Sequence, residues 1–362
     1  MRQSVMNKQK NAFMKDRYFH NDNEVYDSNI SRNINKIKLF YNSLFEDKIL
    51  NGKLLGGTLG AYYYEGEGTK IWEKITKNPK YYASRDSAKL ANDLAHKALS
   101  EAKGKNTELY LFGASYQETI AFSKAVPDCS KIVLVDICSE YAEKQVQLFR
   151  KVLGKTNIYF EIFDFQTELN LLNKPICHRT IIIPSSNIGN LPVYYDESPR
   201  NNSTLISYII QLLKKCNLLV IGYDTQLNEN KLKAAYSGYI HDKFVLSTFS
   251  RISEEFGLNL DVNKLKREPV FISKPQLLAH KVTVNAPQVI SINQEDIELK
   301  TGQSIYPGHS IKFKARPNEY SKENDLEILV SKAGGKACSP PIMQQNNSIA
   351  LQSFSSDQLW EI

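Results

Sequence analysis

The sequence predicts an α/β protein built on a doubly wound, Rossmann-like parallel sheet. Three observations carry this. Five short apolar runs, at 108–112, 131–136, 158–163, 180–184 and 218–222, are nearly continuous, as strands become when helices cover both faces of a sheet. Amphipathic stretches separate them, clearest at 139–153 and 203–215. Regular alternation of strand and helix implies parallel pairing through right-handed crossovers.

Taken in order, residues 1–22 are polar and unpatterned and read as a mobile tail. From 23 to 82 short amphipathic helices alternate with turns, and GKLLGGTLGAYYYEGEG reads as an ordered loop. Ser84 or Asp86 is placed to cap a helix whose stripe carries Leu90, Leu94, Ala95, Ala98 and Leu99, ended by Gly104. The five strand units follow. Beyond Tyr223, helices are expected at 230–236 and 242–256. Segments with β-character come next at 278–285, 289–292 and 310–313, then a helix at 321–333 and a closing strand at 349–353.

Composition narrows the function class. The chain has 362 residues, 42% of them hydrophobic, enough for a large core, and its apolar runs are too short to span a bilayer. The N-terminus shows no apolar signal region, so a cytoplasmic protein with no membrane partner is expected. The net charge of +7 comes from Lys and Arg mixed with acidic residues, without a compact basic patch, so no nucleic-acid partner is expected. Five scattered cysteines form no CxxC pair, which argues against a zinc cluster and against a disulfide framework; no metal is expected. Oligomeric state is left open.

Ligands of a doubly wound sheet bind at the carboxyl ends of its strands. The first run ends in Gly113, Ala114 and Ser115, small residues where backbone can approach a ligand; a dinucleotide site would want three glycines, and one is present. The second ends in Asp136, whose carboxylate suits a pair of ribose hydroxyls better than a simple helix cap. The third ends in Asp164 and Phe165, a carboxylate for an exocyclic amine beside an apolar surface for a ring. The fourth ends in PSSNIGNLP, which sets Ser186 and Asn190 at the ligand edge or forms a hydrogen-bonded turn around Gly189. Acidic and polar strand ends with a degenerate glycine turn suit S-adenosylmethionine (SAM), which carries no phosphate, better than NAD.

Several segments together, AYYYEGEGTKIWEKI, NPKYYASR, LVDICSEY, FDF, SSNIGNLP and GYDTQLNENKLKAAY, resemble the histidine-specific Nα-methyltransferases of ergothioneine biosynthesis and their relatives. The resemblance runs in order from about Leu55 to Ser353. It implies a class I methyltransferase sheet with an inserted α+β substrate-binding domain: 86–226 and 312–362 binding SAM, 23–85 and 227–311 holding the acceptor. Gly113, Ala114, Ser115, Asp136, Asp164, Phe165 and Ser186 would then line the cofactor site. Asn190, Tyr64 and Tyr236 would contact the amine and carboxylate of a small amino acid, with Tyr81 and Ser310 nearby. The implied reaction is in-line methyl transfer to an α-amine.

The sequence departs from the family pattern twice. Leu111 stands where the glycine turn normally has an acid, and Ser115 replaces its second glycine. Gly308 replaces the carboxylate that holds the imidazole in histidine-specific members, while Ser310, Lys312 and Phe313 remain; His309 beside it reads as a surface or core residue. The readings that stay open are another small amine or a peptide terminus as acceptor and a catalytically weak SAM-binding protein; an NAD-dependent oxidoreductase loses on the missing glycines.

Overall fold

The computed structural model describes residues 59–356 except 105, 155–156, 167, 192–202, 274–275, 293–294, 315–324 and 345–347, together with Ile37, Phe40 and Leu44. Leu39–Ile362 form one compact unit. The expected tail at 1–22, most of the helix-and-turn region before 59, and the start of the expected helix at 321–333 lie outside the described residues.

A seven-stranded sheet forms the centre. Its first five strands are β1 (Glu108–Phe112), β2 (Lys131–Asp136), β3 (Ile158–Ile162), β4 (Arg179–Ile183) and β5 (Leu218–Asp224), and all pair in parallel. A second group of strands is β6 (Leu265–Ile272), β7 (Leu277–Val284), β8 (Gln288–Ile292), β9 (Glu295–Leu299) and β10 (Ser304–Ile311). Two more, β11 (Gly335–Ala337) and β12 (Ile349–Ser356), return to the first sheet, β12 running antiparallel against β5. The order is β11-β12-β5-β4-β1-β2-β3. Strand order reverses between β1 and β4, which opens a crevice at their carboxyl ends.

Eight α-helices lie among the described residues: α1 (Glu67–Thr76), α2 (Tyr82–Ala98), α3 (Tyr116–Ala125), α4 (Ser139–Leu153), α5 (Ser203–Leu213), α6 (Glu229–Tyr236), α7 (Tyr239–Phe256) and α8 (Leu326–Lys332). One sheet face, carrying Phe112, Val133, Val135, Ile181, Ile183, Leu219, Ile221 and Tyr223, shares a core with Ile209 and Leu212 of α5 and Leu329 and Val330 of α8. The alternate strand residues, Leu111, Ile132, Leu134, Ile182 and Val220, are also buried. Burial on both faces explains why these strands read as unbroken apolar runs. No helix among the described residues is long and apolar enough to cross a membrane.

Between β5 and β11 the chain builds a separate antiparallel sheet in the order β10-β7-β6 and a ribbon of β8 and β9. Strands β6 and β9 were not legible in the sequence. β6 (LKREPVFI) is broken by charge and by Pro269, which its edge position tolerates, and β9 (EDIEL) is acidic and largely exposed. The expected strand at 310–313 lies earlier, with a register irregularity between Ile305 and Gly308, and Lys312 and Phe313 fall just beyond its end.

Two local expectations are corrected. Helix α2 begins at Tyr82 with Tyr81 as an uncapped N-terminal residue, so Ser84 and Asp86 lie inside its first turns. Burial of Tyr81 and Tyr82 fixes the start, in place of a cap. The helix ends at Ala98, and a short 3-10 turn at Ser100–Ala102 precedes Gly104. The glycine- and tyrosine-rich segment is also not simply a loop. Gly60–Tyr64 is a 3-10 helix and Glu67 opens α1. Gly68 makes this possible, because a Cβ there would lie 1.8 Å from the Tyr63 carbonyl oxygen.

The two sheets are joined by a buried ion pair. Lys312 Nζ lies 2.7 Å from Asp224 Oδ2 at the end of β5, both side chains being fully buried, and the Tyr82 hydroxyl donates to the same oxygen at 2.6 Å. Replacing Lys312 with Ala should cost about 3–5 kcal/mol in urea denaturation, because it strands the Asp224 carboxylate in the core.

Candidate active site

The crevice at the carboxyl ends of β1, β2 and β4 opens into one cavity of about 1010 Å³. Every residue singled out from the sequence borders it: Tyr64, Tyr81, Gly113, Ala114, Ser115, Asp136, Asp164, Phe165, Ser186, Asn190, Tyr236 and Ser310. The structure therefore brings together residues drawn from both sheets and from the segment before α1.

One half of the cavity is the strand-end half. Gly113 has φ +61°, and a Cβ there would sit 2.8 Å from Asn187 Nδ2 and 3.4 Å from the Phe165 ring. Asn187 Nδ2 donates to the Gly113 carbonyl at 3.1 Å, so the PSSNIGNLP turn clips the glycine turn in place. Ser115 is the N-cap of α3, in a reciprocal capping box with Glu118. The Glu118 carboxylate, itself buried, accepts from Ser115 N at 2.9 Å, from Ser185 Oγ at 2.7 Å and from the Ser87 hydroxyl of α2. Ser185 holds φ +59° against β5, where Gly222 leaves room for its backbone. A single carboxylate thus fixes the loops after β1 and β4 relative to α2.

Asp136 ends β2, and its Oδ1 accepts from Cys138 N at 3.2 Å. Burial raises its pKa, opposed by the amides of Cys138 and Ile137 and reinforced by Asp164. Asp164 Oδ1 accepts from Gln166 N at 2.9 Å, while Phe165 packs against Phe112 at 5.2 Å between centroids. A backbone-only glycine turn, a carboxylate at the end of β2, and a carboxylate with a phenyl ring at the end of β3 fit a nucleoside without phosphates.

The other half is aromatic. Tyr64 meets Trp72 at 5.3 Å, Trp72 meets Tyr81 at 5.4 Å, Tyr81 meets Tyr236 at 5.4 Å, and Phe244 lies 5.5 Å from Trp72. Burial raises the pKa of Tyr64, and the Asp136 carboxylate adds to the rise; Tyr81 is raised by burial and then by Tyr236. Both phenols stay protonated at neutral pH. Lys312 Nζ stands 5.2 Å over the Tyr236 ring and 3.1 Å from Ser310 Oγ. Burial works against its charge, but Asp224 and Tyr236 outweigh this and hold its pKa above the ordinary value. Asn190 closes the turn at Asn187–Asn190, where Gly189 is pressed against β10: a Cβ there would be 2.7 Å from the Ile311 carbonyl oxygen.

Several residues escaped the sequence reading. Glu118 was visible only as S-x-x-E ahead of an apolar helix. Asn187, Tyr63, Trp72, Tyr82 and His280 had no spacing signal, since their roles arise from segments distant in the chain. His309 is buried, its Nε2 at 3.0 Å from the Leu191 carbonyl oxygen, and burial lowers its pKa to about 4.

Residues 58–327 match the family described as histidine-specific methyltransferase, SAM-dependent. The chain belongs to this family. Its cofactor is S-adenosylmethionine, and the Gly113 turn with Asp136, Asp164 and Phe165 fits that choice over a dinucleotide. Among curated protein sequences none matches. Similar solved structures include a SAM-dependent methyltransferase from Clostridium acetobutylicum, 9% identical, covering 80% of this chain and 97% of that one with a TM-score of 0.40. Magnesium protoporphyrin IX methyltransferase from Synechocystis, solved with S-adenosylhomocysteine (SAH), is also 9% identical, with 82% and 97% covered and a TM-score of 0.40. A glycopeptide N-methyltransferase complexed with SAM is 8% identical, with 74% and 93% covered and a TM-score of 0.33.

Two outcomes follow from this methyltransferase's site. Gly113→Ala should lower SAH affinity at least about 10-fold by calorimetry, because the new Cβ displaces the Asn187 clip and strains a positive φ. Stability should be full above pH 6.5 and fall as pH drops towards 4. In that window the unfolded chain takes up protons at His241 and His309, whose folded pKa values burial depresses from 6.5 to about 4. His309→Gln should flatten the decline of Tm across that range.

Proposed function

We propose that this methyltransferase transfers a methyl group to the α-amine of a small amino acid. The observation that carries the reading is the single cavity in which the strand-end half and the aromatic half face one another. On this reading Gly113, Ala114, Ser115, Asp136, Asp164, Phe165 and Ser186 hold the cofactor, Asp136 accepting from its ribose and Asp164 from its adenine amine. SAM, when bound, supplies an electrophilic methyl on a sulfonium.

The remaining chemistry belongs to the acceptor. Its nitrogen must present a lone pair, so the site must orient the amine without keeping it protonated. Asn190, Tyr64 and Tyr236 suit this, offering amide and phenol hydrogen bonds in place of a carboxylate, with Tyr81 and Ser310 completing the wall. Tyr64 and Tyr81, held protonated by burial, are poor bases, which leaves solvent to take the amine's proton before transfer. The positive nitrogen that forms is accommodated by the faces of the surrounding rings, and each desolvated cation–π contact contributes up to about 2 kcal/mol. Holding amine and methyl in one dry geometry contributes about 7–11 kcal/mol of rate acceleration through effective molarity. We assign residues 86–226 and 312–362 to the cofactor and 23–85 and 227–311 to the acceptor.

Titration with SAH, then with amino acids against the SAH-loaded protein, tests the reading. An amino acid should bind the loaded protein and be methylated in the presence of SAM; binding of SAH with no amino acid accepted would refute it. Asp136→Ala should weaken SAH by about 10–100-fold, the cost of charge-assisted hydrogen bonds. Asn190→Ala and Tyr236→Phe should lower turnover while SAH affinity stays within about twofold.

A further inference from the structure

One face of the β7–β10 pair forms the far wall of the cavity. Gly308 and His280 are direct partners across the two strands, and Ser310 lies one pleat further along on the same face. The hydroxyl of Tyr63 reaches over this face. A Cβ on Gly308 would lie 2.7 Å from Tyr63 Oη, so β10 presents only backbone there, and no side chain at 308 fits beside the phenol. Tyr63 is 5% exposed, borders the cavity, and its hydroxyl oxygen has no hydrogen-bond partner among the described residues. A buried hydroxyl without a partner is costly, and the cavity is where a partner can come from.

His280 and Ser310, on the same face, each keep a hydrogen to donate. Arg267 Nη2 lies 2.5 Å from His280 Nδ1, and a guanidinium only donates, so Nδ1 accepts and the proton of the neutral imidazole sits on Nε2. Burial first, then Arg267, keeps His280 far below its ordinary pKa. Ser310 Oγ accepts from Lys312, which leaves its own hydrogen to donate. Burial keeps Tyr63 protonated, with Arg267 partly opposing the rise. The carboxylates paired with the cations beside this face are engaged, Asp224 by Lys312 and Tyr82, and Asp242 by Arg267.

Resting on the amino-acid acceptor reading above, we propose that Tyr63, His280 and Ser310 form the side-chain pocket of the acceptor, selecting a side chain with an oxygen acceptor, a carboxylate or a carboxamide, over an imidazole. Tyr63 is the specificity-determining residue, because its hydroxyl takes the volume that a side chain at Gly308 would fill. A neutral imidazole has one acceptor nitrogen and so uses at most one of these three donors, its N–H falling back on a hydroxyl lone pair. An imidazolium has no acceptor at all, while Tyr63, His280 and Ser310 bring no carboxylate to it. A carboxylate or amide oxygen accepts from all three groups.

The test titrates SAH-loaded protein with L-aspartate, L-glutamate, L-asparagine, L-glutamine and L-histidine. At least one of the first four should bind about 10-fold or more tightly than histidine. Tyr63→Phe should erase about 10-fold of that preference without lowering Tm or SAH affinity, since it removes a hydroxyl that has no partner among the described residues. Ser310→Ala should act in the same direction and serves as a second, independent variant. Tightest binding of histidine, or an unchanged preference in both variants, would overturn the pocket and leave the acceptor reading standing. Binding of another amino acid but none of these five also overturns the pocket alone, and binding of SAH with no amino acid accepted overturns both.

Discussion

The architecture depends on one buried contact, the triad of Tyr82, Asp224 and Lys312. Asp224 closes β5, Lys312 follows β10, and Tyr82 opens α2, so three segments far apart in sequence meet at one carboxylate. The charge is compensated within the triad, and the amide of Gln226 takes the second oxygen at 2.9 Å. This contact sets the antiparallel sheet against the strand ends. It also carries Ser310 and the aromatic face of Tyr236 into the cavity beside Lys312. The cavity's two halves are therefore held in register by electrostatics inside the core, where geometry is strict and screening is weak.

The glycine turn shows how a sequence can leave a family pattern and keep its geometry. Ser115 in place of a second glycine gives up backbone freedom and gains a capping hydroxyl for α3. Leu111 leaves no acid on β1 beside the turn, while Glu118, one helical turn into α3, ties Ser115, Ser185 and Ser87 together from the other side. The loops after β1 and β4 are fixed by side chains as much as by glycine, which accounts for a polar PSSN run at the end of an apolar strand.

Most of the central sheet was legible because its strands are buried on both faces, and burial writes itself as continuous apolar residues. Asp136, Asp164 and the PSSNIGNLP turn were legible for the related reason that polar residues ending such strands stand out. The parts that were not legible depend on contacts across the chain. The start of α2 is decided by the burial of two tyrosines and not by Ser84 or Asp86, and the helix at Glu67 depends on Gly68 approaching the Tyr63 carbonyl. Strand β6 carries charges that pair outward and inward, Arg267 with Asp242 and Lys281 with Glu268, so it shows no apolar rhythm. Tyr63 and His280 acquire their meaning only when Gly308 pairs with His280 and leaves room for the Tyr63 hydroxyl.

The placement of β12 bears on how the chain is made. β5 is buried along its whole length, and the strand that covers its open edge is synthesised only after β6 to β11 have left the ribosome. At the pace of translation that edge stays unpaired for several seconds or more, a template for any passing extended segment. The nascent polypeptide must therefore be shielded, by its own antiparallel sheet folding first or by a chaperone, until its final strand arrives.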